Sequence, residues 1–121
     1  MVTLEPFAVG SERRGRTHRL IPRGELDLAT APLLREAFDD AVRDGDAEKI
    51  VIDLTELAFM DSSGINLLLQ LTEACSDTDR LRIVNGAPMV VRVLDISGAR
   101  PRLPIITSAE DPLAPLPQRS P

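Results

Sequence analysis

The order of apolar patterns along the chain predicts an α/β fold. The expected core is a mixed β-sheet with an N-terminal hairpin, central parallel strands and helices packed on it. Three observations carry this reading. Strand-like and helix-like segments alternate after residue 24, which specifies a largely parallel sheet. Lys49-Ile50-Val51-Ile52-Asp53-Leu54 is a nearly unbroken apolar run, the pattern of a strand covered on both faces. A polar junction, Phe59-Met60-Asp61-Ser62-Ser63-Gly64-Ile65, then joins that strand to the most apolar helical segment.

The elements follow in order. Residues 2–9 alternate at Val2, Leu4, Phe7 and Val9, a pattern for an edge strand, where the missing donor of Pro6 is tolerated. Gly10 and Ser11 open a polar turn that runs to Gly15, and residues 17–23 return as the second strand of the hairpin. Gly24-Glu25-Leu26-Asp27 ends that strand in a short acidic turn. Thr30 is the candidate N-cap of a helix with Pro32 in its first turn, where its missing N–H is not needed. Leu34, Ala37, Phe38, Ala41 and Val42 recur at the spacing of one buried helix face, and Gly45 supplies a stop signal.

After the central strand, residues 55–60 read as a connection. Ser62 or Ser63 can cap the next helix, whose stripe is Ile65, Leu68 and Thr72, with Leu67 and Leu71 beside it. Residues 73–80 are charged and loop-like. Residues 81–84 form a short apolar strand ended by Asn85-Gly86. Ala87-Pro88 opens a third helix through Val90, Val91 and Leu94 to Ser97-Gly98. Residues 103–107 make a last strand, at an edge because of Pro104. One domain over residues 1–109 is therefore expected. Residues 110–121 hold four prolines, Pro112, Pro115, Pro117 and Pro121, and read as an extended or disordered tail.

Composition narrows the functions. The 121 residues are 43% hydrophobic, enough for one packed core. Only three residues are aromatic, all Phe, which disfavours base stacking on single strands. A net charge of −5 has the wrong sign for direct nucleic-acid binding by the whole domain. Arg13, Arg14, Arg16, Arg19 and Arg23 cluster beside the single histidine, His18; a solvated hairpin explains them more simply than an acidic partner. One cysteine, Cys75, excludes an intrachain disulfide and reads as a small buried hydrophobe. With no signal-peptide pattern and no apolar run long enough to span a bilayer, no membrane role is expected and the reading is cytoplasmic.

The chemistry available lies at the Asp-Ser-Ser-Gly junction. A helix N-terminus directs unpaired amides and partial positive charge outward, so a phosphate on a serine there can be accommodated. Asp61 would oppose that charge and limit the compensation. A hydrolytic serine is the rival reading, but it needs a base, and His18 lies in the hairpin; Gly-x-Ser-x-Gly is absent. A metal site from Asp27, Asp53 and Asp61 has few and widely spaced ligands. The plainest alternative is that Ser62 and Ser63 only cap the helix.

Three segments together resemble a known family: Gly24-Glu25-Leu26-Asp27, Phe59-Met60-Asp61-Ser62-Ser63-Gly64 and Leu94-Asp95-Ile96-Ser97-Gly98. In this order and spacing the chain resembles the STAS-domain anti-sigma-factor antagonists of bacteria, over residues 2 to about 109. The resemblance implies a non-enzymatic transcription regulator with no cofactor. Such an antagonist binds an anti-sigma factor that is also a serine kinase, releasing a sigma factor, and is inactivated when that kinase uses ATP to phosphorylate it. A metal-dependent serine phosphatase restores it. Carried onto this chain, Ser62 is the phosphoacceptor, and Asp27, Asp61, Ser62, Ser63, Gly64 and Ile65 form the partner surface. The alternative is a constitutive STAS scaffold, or a subunit of a stress-signalling or lipid-transport assembly, with no phosphoswitch.

The chain departs from the family pattern in three places. Asn66 stands where a second glycine is common, which bears on partner choice. Ser76-Asp77-Thr78-Asp79 replaces a glycine-bearing loop. Prolines truncate the usual C-terminal helix.

Overall fold

Charge rather than apolar alternation marks the first strand. The computed structural model describes residues 6–45 and 47–107, and β1 spans Ala8–Arg14, with Ser11, Arg13 and Arg14 exposed. The expected polar turn is thus mostly strand. On this edge Val9 packs against the core while Ser11, Arg13 and Arg14 reach solvent, so the apolar signal is weak. β2, Thr17–Leu26, runs antiparallel to it, and the Arg14↔Thr17 pair leaves Gly15 and Arg16 as a two-residue turn. Gly15 has φ +56°, the positive φ that a primed hairpin turn requires. Residues 2–5 of the expected first strand lie outside the described residues.

β2 does not stop at Gly24, as the acidic turn had suggested. It pairs in parallel with β3, Lys49–Asp53, over Thr17 to Leu20, and then with β4, Leu57–Met60, over Gly24 to Leu26. The register shifts between Gly24 and Glu25, where Gly24 adopts φ +96°. A bulge of this kind lets one long strand serve two partners. Pro22 falls in the gap between the two pairings, where a missing N–H disturbs the ladder least.

The presumed connection before the polar junction is therefore partly a strand. Between β3 and β4 the chain turns at residues 54–56. Asp53 shapes that turn by accepting the Thr55 N–H at 2.9 Å, and Leu57 N–H bonds back to the Leu54 carbonyl at 3.1 Å.

Among the described residues, three α-helices cross between the strands: α1, Ala31–Arg43; α2, Ser62–Ala74; and α3, Pro88–Ser97. β5, Leu81–Val84, pairs in parallel with β3, and β6, Ile105–Ile106, pairs in parallel with β5 as the far edge. The strand order is β1-β2-β3-β5-β6, with β4 beside β2, so the sheet is mixed as expected. α2 runs on to Ala74, two residues into the stretch expected as a charged loop. Gly98 ends α3 at φ +73°, whereas α1 ends at Asp44 in extended conformation and Gly45 takes no positive φ. Thr30 sits at the N-cap of α1 but makes no capping bond. Its hydroxyl donates to the Glu25 carbonyl at 2.7 Å and accepts the Asp27 N–H at 2.9 Å.

Leu34 and Phe38 of α1, Leu68 and Leu71 of α2, and Val90 and Leu94 of α3 join one core with Leu20, Ile50, Ile52 and Ile83. Alternation turns Val51 and Asp53 to the other face of β3, where both are also buried. Asp53, the one interruption in the apolar run, is neutralised there by the Arg19 guanidinium. No helix among the described residues is long and apolar enough to cross a membrane.

Candidate functional site

The site forms where β2 and β4 end side by side. Leu26 pairs with Met60, both fully buried, and the next residue on each strand is an aspartate. Asp61 N–H donates to the Leu26 carbonyl at 3.2 Å, so the sheet ladder continues to the first residue before α2. This pairing brings Asp27 and Asp61, 34 positions apart in the sequence, to the same carboxyl end of the parallel strands.

Each aspartate orders its own loop. The Asp61 carboxylate accepts from Ser63 N–H at 2.8 Å and Gly64 N–H at 3.3 Å, capping α2. The Asp27 carboxylate accepts from Ala29 N–H at 3.0 Å and Thr30 N–H at 3.1 Å. Both loops are therefore held by charge-assisted bonds rather than left to the solvent.

Neither serine caps the helix. Ser62 occupies the first helical position with an exposed side chain, and its hydroxyl makes no hydrogen bond among the described residues. Ser63 follows, half-buried. The expectation that a serine was the cap is corrected: the strand pairing ends at Met60, which puts Asp61 at the cap position. The amides that a phosphate on Ser62 was expected to use are accordingly held by Asp61 already.

Gly64 and Ile65 lie behind the site. A Cβ on Gly64 would stand 2.5 Å from Met60 Cγ and 3.0 Å from Leu26 Cδ2, so glycine lets α2 press against the paired ends of β2 and β4. Ile65 is 6% exposed and packs inward. Of the residues expected at the partner surface, Asp27, Asp61, Ser62 and Ser63 reach solvent, and Gly64 and Ile65 support them.

Apolar neighbours complete the surface. Leu28 is 78% exposed although the Asp27 bonds on either side fix its turn. It overhangs a groove between α1 and α2 that Pro32, Ser63, Asn66 and Leu67 also line. Phe59, on β4, is 39% exposed. Sequence reading missed Leu28; the available signal was a leucine directly after Asp27, out of phase with the buried stripe of α1.

The rival chemistries find no support in this geometry. His18 lies near the opposite end of β2, about 25 Å of strand from Leu26 at ~3.3 Å per residue. Its Nε2 is 3.2 Å from the Asp44 carboxylate. Asp53 is tied to Arg19 and Thr55, and among the described residues no three His, Cys, Asp or Glu side chains gather as a metal site. The hairpin arginines each have an acidic partner: Arg13 with Asp44, Arg14 with Glu12, Arg16 with Glu48, Arg19 with Asp53 and Arg23 with Glu56. Arg19 departs from the expected solvated hairpin, since its guanidinium is largely buried against Asp53. Cys75 is buried at the end of α2, and desolvation pushes its thiol pKa up, against a smaller opposing pull from Arg80.

Fold and site together define a small α/β module that presents an exposed serine on a capped helix at the carboxyl end of its sheet. The sequence profile of the STAS domain matches residues 12–111, and the chain belongs to that family. It is 35% identical over 83 residues to an anti-sigma F factor antagonist of Paenibacillus polymyxa, covering 68% of this chain and 71% of that one. Among solved structures, an anti-sigma factor antagonist from Mycobacterium paratuberculosis superposes with a TM-score of 0.74 at 25% identity, over 83% of this chain and 85% of the other. The antagonist SpoIIAA in unphosphorylated form gives 0.67 at 29% identity, over 86% and 90% of the two chains. The Bacillus cell fate determinant SpoIIAA in phosphorylated form gives 0.61 at 26% identity, over 86% and 94%. These names describe regulators rather than catalysts.

Proposed function

We propose that this protein is an anti-sigma-factor antagonist that binds an anti-sigma factor in its unmodified state and is released by phosphorylation of Ser62. The observation that carries the reading is the exposed, unbonded Ser62 hydroxyl on a helix whose cap is supplied by another residue. Its chemistry is therefore free for transfer without cost to the fold. The relatives named anti-sigma factor antagonists, one of them known in a phosphorylated form, support the same reading.

In the proposed cycle the anti-sigma factor acts as a serine kinase. The Ser62 hydroxyl attacks the γ-phosphorus of ATP, loses its proton, and leaves ADP. The phosphoserine carries nearly two negative charges at neutral pH. Asp61 already holds the Ser63 and Gly64 amides, so the backbone offers that phosphate little neutralisation. The new charge is added to a face that contains Asp27 and Asp61, and a partner fitted to the unmodified face meets repulsion and bulk. Hydrolysis by a metal-dependent serine phosphatase restores the hydroxyl.

The test is to incubate the protein with ATP and the anti-sigma kinase co-purifying from its native cell, then map phosphate by mass spectrometry. Phosphate on the Ser62 peptide, lost in Ser62→Ala, is the expected result. A phosphate on another residue, or stable complexes that never phosphorylate the chain, would favour a constitutive scaffold instead.

A further inference from the structure

We draw no further inference here: the strongest candidate, the apolar groove between α1 and α2 beneath the exposed Leu28, adjoins Ser63 and belongs to the partner surface already described, and nothing in the structure shows what else would cover it.

Discussion

At the scale of single residues, Asp61, Ser62 and Gly64 divide three tasks among adjacent positions. Asp61 caps, so Asp61→Ala should cost about 1 kcal/mol, the usual penalty for a lost N-cap, read as a lower urea midpoint. Gly64 permits close approach. Gly64→Ala should cost roughly 1–3 kcal/mol, because its new methyl meets the buried Met60 and Leu26 side chains. Ser62 does neither, and Ser62→Ala should leave stability within about 0.5 kcal/mol of the parent while abolishing phosphorylation. Sequence alone made the junction conspicuous but not this division. Asp and Ser are both good N-caps, and only the pairing of Leu26 with Met60 decides which one occupies the position.

At the scale of elements, the bend between β3 and β4 sets where α2 begins. Its keystone is Asp53, buried on the face of β3 away from the helices and bonded to Arg19 and Thr55. Removing the carboxylate takes a charged acceptor from Arg19 and from the part-buried Thr55 N–H turn bond. Asp53→Ala should therefore destabilise by roughly 1–3 kcal/mol in equilibrium unfolding, although it is far from the proposed partner surface. Cys75 supplies a second check at this scale. Its thiol is buried and its pKa raised, so a disulfide reagent at neutral pH should modify the native protein far more slowly than the urea-unfolded chain.

The helices were legible because their buried faces repeat at helical spacing, and β3 because Ile50, Val51 and Ile52 form a continuous β-branched run. β1 and β4 were not. β1 carries exposed charged residues on an edge, and β4 is only four residues long with two of them exposed. Their positions follow from long-range register, which a local pattern does not contain.

At the scale of the whole molecule, all three helices share one core, and the proposed switch sits outside it at the sheet's carboxyl end. Modification there should change binding without changing the fold. The phosphorylated and unphosphorylated proteins should melt at nearly the same temperature, with amide chemical-shift changes confined to the start of α2 and the turn after Asp27. Ser62→Asp, which adds one charge, should weaken anti-sigma-factor binding about tenfold or more, the scale of an unfavourable like-charge contact in an interface.

The central claim is that one phosphate on Ser62 controls partner binding. It is tested most directly by titrating the anti-sigma kinase with unmodified protein and with protein stoichiometrically phosphorylated at Ser62, both shown to be equally folded. The account predicts a stable complex with the unmodified form and little or none with the phosphorylated one. Equal affinity for the two forms would contradict it.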